Sequence, residues 1–306
     1  MIRTRFSFAA RLLCAALAIA ALLPFASPAA PVAIELDDSL PDHGLLEHAT
    51  VRTPLDLSDP FFDETVTESF AGGSRASNWK TLHRTRGEVL KTFCRHTVQA
   101  EKDGPASVLG ATNGKRGADD IEELWFVGLD IDNGFDGDTI ARRIIDAGLT
   151  AVLASTHSHM TTSTEKSLAF FEDWAAANAA GQVLDDVVMK AAMLDQGLEA
   201  AIVETLTFER REVRQAGKMK VKVFMTHAPI PKWRVIVPLD SAFVVAENGE
   251  TQQDGAEAWR AVPRALAAML GDLPIDSTGC DVNRLFYHPA HRQGSPWRIE
   301  IGRAHV

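Results

Sequence analysis

Apolar positions along this chain gather into short runs separated by polar, glycine-rich or charged stretches. Leu124 to Ile131, LWFVGLDI, is almost continuously apolar and eight residues long, which predicts a strand buried on both faces. Thr150 to Ala154 is a second, shorter run of the same kind. Between them, Gly137 to Gly148 places Ile140, Ile144 and Ile145 on a helical period and ends on a glycine suited to a C-cap. The order strand, helix, strand predicts a mixed α/β sheet, with the two strands as neighbours across a short crossover.

The same reading extends to both sides. Trp79 to Val98 carries Leu82, Val89, Leu90 and Phe93 at helical spacing and predicts a helix, and Lys102 to Gly117 predicts a glycine-rich loop or hairpin bearing Lys115 and Arg116. Residues 165–215 read as a helical insertion ending in the charged tail FERREVRQ. Strands are predicted at Val221–Met225 and Arg234–Leu239, a helix at Ala256–Leu270, and a strand-like run at Leu285–Tyr287. Residues 36–78 lie in a stretch rich in Asp, Pro, Ser and Gly and read as a poorly specified lead-in.

Composition narrows the class. A chain of 306 residues, 46% hydrophobic and 24% charged, buries a sizeable core in one or two domains and is not a disordered tail. Its formal charge of −10 and pI near 5.5 give no global basic field, so a polyanionic partner must be held by a local patch or through metal ions. Cys14, Cys94 and Cys280 have no paired spacing, which points to reduced thiols rather than a disulfide framework or zinc knuckle.

Both ends need separate treatment. Residues 1–35 contain Arg3, Arg5 and Arg11, the apolar run LLCAALAIAALLPFA and the small residues SPAA, the composition of a secretory signal peptide. Pro24 and the short run argue against a permanent span. Residues 301–306, IGRAHV, can be reverse-translated into a widely used sequencing adapter, so the expectation is a fragment with an artefactual end, and the first 35 residues are either a signal segment or a second artefact.

The chemistry sits at the ends of the predicted strands. Asp130 and Asp132, two apart on a strand, project to one side, where like charges call for a cation; hard ions such as Mg²⁺ or Mn²⁺ suit them. Two such ions about 3.5 to 4 Å apart serve phosphoryl transfer. The plainer alternative is a solvated acidic turn. After the second strand come Ser155, His157, Ser158 and His159, with the two imidazoles on one face of an extended segment. Farther on, Asp276 follows a short apolar segment and Arg284 lies eight residues later, suited to a phosphate or to an ion pair with Asp281. Lys232 and Arg234 stand at the entry of one predicted strand and Asp240 at its exit.

The series LDID (Leu129 to Asp132), HSH (His157 to His159, or STH from Ser155 to His157) and ID (Ile275, Asp276) resembles the three motifs of the archaeo-eukaryotic primase superfamily, in its phage and plasmid replication branch. The flanks THSHM, PKWRVIVPL and DVNRLFYHPAH occur in the same order, over residues Trp79 to Arg298. The resemblance implies an α/β (α+β) catalytic domain at 79–300, with an RRM-like primase-polymerase sheet and an accessory α/β unit, interrupted by the helical insertion. It further implies that Asp130, Asp132 and Asp276 hold Mg²⁺ or Mn²⁺ and that His159 contacts the incoming phosphates. His157, Ser158, Lys232, Arg234 and Arg284 would be supporting nucleotide contacts. The implied partners are a single-stranded DNA template and nucleoside triphosphates, in the cytoplasm.

Some points stay open. Asp240 rivals Asp276 as third carboxylate, and one sequence does not choose between His157 and His159. No G-x-x-x-x-G-K-[ST] loop occurs, so a helicase would be a further domain or subunit. A genuine signal peptide would instead favour an exported, periplasmic metal-dependent phosphoesterase with Zn²⁺ or Mn²⁺. A third possibility is a catalytically inactive binding module associated with replication.

Overall fold

A computed structural model describes residues 49–51 and 57–302, apart from 216, 217 and 250. The signal-like segment 1–35 and four of the six adapter-like residues, 303–306, lie outside the described residues. In chain order the first elements are β1 (Ala49–Val51), β2 (Thr65–Ala71), β3 (Lys80–Thr85), α1 (Arg86–Phe93), β4 (Thr97–Val98), β5 (Ala106–Val108), β6 (Gly110–Thr112) and β7 (Ile121–Ile131). Then come α2 (Gly137–Asp146), β8 (Ala151–Ser155), β9 (Thr161–Ser167), α3 (Leu168–Asn178), α4 (Asp186–Asp195), α5 (Ala200–Glu204), β10 (Thr207–Gln215), β11 (Lys218–Ile230) and β12 (Trp233–Val244). The chain continues through α6 (Gln252–Met269), β13 (Phe286–Tyr287), β14 (Ala290–His291) and β15 (Trp297–Gly302). The fold is mixed α/β with largely antiparallel sheets.

The principal sheet has six strands in the order β1-β15-β8-β12-β7-β6. Every pairing in it is antiparallel except β1 with β15. Strands β7 and β8 are therefore parallel to one another, but β12 lies between them, so they are not the neighbours that the short crossover predicts. The unit is a split β-α-β arrangement.

Continuous burial of β7 from Phe126 to Ile131 follows from helices on both sides. Val127, Leu129 and Ile131 share a core with Ile140 and Ile144 of α2 and Trp259 and Leu266 of α6. The opposite face, led by Phe126, packs with Val89, Leu90 and Phe93 of α1. On that face Phe126 is followed at two-residue steps by Gly128 and Asp130. A Cβ at Gly128 would lie 2.3 Å from the Phe286 ring, so the glycine admits β13 close against the sheet directly beside Asp130.

Several elements differ from the sequence pattern. Trp79 to Val98 is not one helix: Lys80–Thr85 pairs with β2, a strand inside the supposed lead-in, and the helix begins only after Thr85. The Thr85 hydroxyl and the Glu88 carboxylate form a reciprocal capping box that sets this start. The segment 102–117 contains β5 and β6, all six residues of which are buried. The insertion is helical only in its middle. FERREVRQ is strand β10, paired residue by residue with β11 from Thr207↔Thr226 to Gln215↔Lys218. Cross-strand partners override local helical composition there. Val221–Met225 thus belongs to a separate three-stranded sheet, β10-β11-β9, carrying its own core with Phe171, Met189 and Ile202.

Strand β15 was not anticipated; its Ile301 and Gly302, the first two adapter-like residues, pair with Val152 and Ala151. Among the described residues no helix is long and apolar enough to cross a membrane.

Candidate functional site

The site is built around Asp130, one residue from the end of β7. Arg234 of β12 stands directly opposite it in register. The Arg234 Nε donates to Asp130 Oδ1 at 2.8 Å, and Arg284 Nη2 donates to Oδ2 at 2.7 Å. Burial would by itself raise the Asp130 pKa, but the two guanidiniums outweigh it and hold the carboxyl below its ordinary value. Arg234 is fixed further by donation from Nη1 to the Tyr287 carbonyl at 2.6 Å.

Asp276 reaches the same place. Its backbone N–H donates to the Asp130 carbonyl at 2.9 Å, alongside the end of β7 that β6 does not reach. Its carboxylate accepts from Thr278 N at 3.0 Å and Thr278 Oγ1 at 2.7 Å, and one oxygen lies 3.6 Å from Arg284 Nη2. Asp240, the rival, is six residues beyond Arg234 on β12, about 20 Å along the strand. Its carbonyl accepts from buried Arg86 at 3.3 Å. The structure therefore brings Asp276, not Asp240, to Asp130. The alternative partner for Arg284 also falls away, because Asp281 pairs with Arg260 at 2.8 Å.

Asp132 lies just past the end of β7, solvent-exposed at the rim of the cavity that Asp130 lines. Crowding by the surrounding protein raises its pKa, and Asp130 adds to the rise while Lys232 and Lys102 oppose it. The cavity measures about 400 Å³, and its charged lining is Lys102, Arg116, Arg234 and Arg284 against Asp130 and Asp132. Thr156 and Tyr287 complete the polar wall. Lys102 and Thr156 carried no signal in the sequence; Arg116 stood out only as one cation of a glycine-rich loop.

The histidines are placed differently from the carboxylates. His157 and His159 are buried, and neither lines this cavity. His159 Nδ1 is 3.0 Å from Lys232 N and 3.1 Å from Lys232 O, and its ring meets Trp233 edge-on at 4.6 Å. His157 Nε2 is 3.1 Å from the Gln99 carbonyl. The Ser158 carbonyl accepts from Thr161 Oγ1 at 3.0 Å, closing the turn into β9. Thr156, just before them, is the part of this segment that reaches the cavity.

Beneath the site runs a second polar network. Ser107 Oγ donates to buried Glu68 at 2.5 Å and is 2.8 Å from His288 Nε2, while Arg84 pairs with Glu68 at 2.9 Å. Burial first, then Arg84 and Arg234, lower the His288 pKa to about 4. Nearby His96, against Ser155, His291 and Trp297, is lowered to about 3 by burial and by the neighbouring imidazoles.

Among the described residues no group of three or more His, Cys, Asp or Glu side chains is arranged to hold a metal ion. Both oxygens of Asp130 already face guanidinium groups, so the arrangement fits arginine rather than a divalent ion at that carboxylate. Comparison with protein-family models, curated proteins and solved structures finds no match.

Proposed function

We propose that this chain catalyses template-directed nucleotidyl transfer, as the primase-polymerase domain of a phage- or plasmid-type replication protein. The observation that carries the reading is the convergence of Asp130, Asp132 and Asp276, distant in sequence, on one end of the principal sheet together with Arg234 and Arg284. These are the acidic positions that the motif resemblance picks out. Charge supports it as well: four cations against two carboxylates line the cavity of a chain whose formal charge is −10, which suits a polyanionic substrate.

In the proposed reaction a 3'-hydroxyl attacks the α-phosphorus of a nucleoside triphosphate, forming one P–O bond and breaking the α–β P–O bond as pyrophosphate leaves. The chain's own contribution is to position the triphosphate and stabilise its charge in a walled site. The requirement for Mg²⁺ or Mn²⁺ is part of the proposal. Asp132 and Asp276, with Asp130, would be the carboxylates to hold such an ion, which would supply charge stabilisation; both Asp130 oxygens are here taken by guanidiniums, of which Arg284 is the more exposed. A single-stranded DNA template, nucleoside triphosphates and a cytoplasmic setting follow from the same reading, as does a helicase on another domain or chain.

The test is incorporation of labelled nucleotide on a single-stranded template, run beside hydrolysis of bis(p-nitrophenyl) phosphate. Template-dependent product supports the reading. Hydrolysis without incorporation would replace it with a phosphoesterase.

A further inference from the structure

The cations of the cavity are of two kinds. Arg234 and Arg284 are committed to Asp130, with distances of 2.8 and 2.7 Å. Lys102 and Arg116 form no ion pair among the described residues. Arg116 is nevertheless oriented. Its Nη1 donates to the Asn283 carbonyl at 3.0 Å, Asn283 Nδ2 donates back to the Arg116 carbonyl at 3.3 Å, and the guanidinium stands 5.7 Å from the Trp79 ring centroid. Lys102 is exposed at the rim and near enough to Asp132 to affect its ionisation.

A second observation points to a ligand in the same space. Thr156 Oγ1 and Arg284 Nε are shielded from solvent and have no hydrogen-bond partner, although both residues line the cavity. Polar atoms withdrawn from water are ordinarily satisfied, and each such orphan needs a reason. Two cations outside any ion pair, an orphaned hydroxyl and an orphaned guanidinium N–H around about 400 Å³ describe a receptor for a ligand with several acceptor oxygens and at least two negative charges.

We propose that Lys102, Arg116 and Thr156 form an oligophosphate-binding subsite with the Arg284 Nε at its edge, while Arg234 and the Arg284 Nη2 hold Asp130. The choice of oligophosphate among polyanions rests on the nucleotidyl-transfer reading. Arg116 supplies a planar fork for two oxygens and Lys102 a mobile point charge. Thr156 contributes a short neutral hydrogen bond.

The probe is inorganic tripolyphosphate, titrated calorimetrically into the full chain without divalent ions at several salt concentrations. The wild type binds; Lys102→Ala and Arg116→Gln each weaken binding by about tenfold or more and flatten its salt dependence, as expected for removal of a charged contact. Thr156→Val weakens binding by a smaller factor and leaves the salt dependence unchanged. Lys102 is exposed, so its variant reports on binding without a folding penalty, and Lys102→Glu settles the matter if Arg116→Gln does not fold.

Wild type that does not bind tripolyphosphate overturns the subsite, as does equal binding by wild type and Lys102→Ala. The two proposals fail separately. Charge-dependent tripolyphosphate binding in a protein that incorporates no nucleotide keeps the subsite and removes the polymerase. Incorporation with an unchanged nucleotide KM in Lys102→Ala keeps the polymerase and removes the subsite.

Discussion

Asp130 and Arg234 face each other in register across β7 and β12, with carboxylate and guanidinium 2.8 Å apart and side chains 4% and 10% exposed. A charge buried to that degree is stable only while paired; Arg284 braces the carboxylate from the other side, and its own charge is balanced by Asp276 at 3.6 Å. The Asp130 cluster is thus a structural ion cluster in its own right.

Replacing Asp130 by Ala leaves the buried Arg234 without its carboxylate and leaves Arg284 with only the more distant Asp276 at 3.6 Å. The expected loss is about 3 to 5 kcal/mol of unfolding free energy, the range for breaking a buried pair from one side. Asp132→Ala, at an exposed position, should change stability by less than about 1 kcal/mol. Urea unfolding of the two variants checks this, and equal losses would contradict the asymmetry.

Gly128→Ala places a methyl group where the Phe286 ring now sits, 2.3 Å from the new Cβ. Overpacking of this kind typically costs about 1 to 3 kcal/mol. Because Arg284 and Tyr287 flank Phe286, the displaced ring also disturbs the cavity wall. Gly128→Ala should therefore melt at a lower temperature and lose activity together, whereas an unchanged melting temperature would show that β13 can move away freely.

Much of this was legible in the chain and some was not, for physical reasons. Leu124–Ile131, Gly137–Gly148 and Ala256–Leu270 gave elements close to those observed, because each has a strong period and a side buried by its neighbours. The carboxylates that converge in the candidate site were singled out because acids at the ends of apolar runs are conspicuous. Strands β2 and β3 were missed because their sequences, TVTESFA and KTLHRT, are polar and show their pairing only once the two strands face each other. FERREVRQ was read as a helix tail because charge masks its alternation, which only the facing β11 makes visible. Lys102 and Thr156 carry no pattern at all; only folding brings them to Asp130.

His288 and His96 are neutral in the folded protein down to about pH 4 and about pH 3, whereas in the unfolded chain both protonate near pH 6.5. Between those limits the unfolded state binds more protons, so stability falls as pH drops from about 6.5 toward 4. Asp130 acts in the same direction at lower pH: its contribution is present above the ordinary carboxylate range and is lost as pH falls through its depressed value. Denaturation midpoints at pH 7.5, 5.5 and 4.5 should decline in order. A His288→Asn variant should show a shallower decline, and a midpoint independent of pH across this range would contradict buried, neutral imidazoles.

The inserted lobe leaves and rejoins the principal sheet at adjacent points, since Met160 N donates to the Ile230 carbonyl at 2.8 Å. It also has its own core. Replacing residues 161–229 by a short glycine-rich linker should therefore leave a folded protein, because closing a short loop between adjacent ends adds little entropy. The losses are local, chiefly the Glu199 N to Asn133 carbonyl bond and Ile202 against Gly134. A cooperative thermal transition with strand-rich circular dichroism is the expected result, and an aggregated or unfolded product would show that the lobe supports the sheet.

The most direct measurement is incorporation of labelled nucleotide on a single-stranded DNA template, with Mg²⁺ or Mn²⁺, by the wild type and by Asp132→Ala. That variant removes a carboxylate of the site without touching the buried Asp130 cluster, so it separates chemistry from folding. The nucleotidyl-transfer reading predicts template-dependent product from the wild type and at least a hundredfold less from a folded Asp132→Ala, on the order of the losses when a group stabilising transition-state charge is removed. Equal product from the two, or none from a folded wild type, would contradict it.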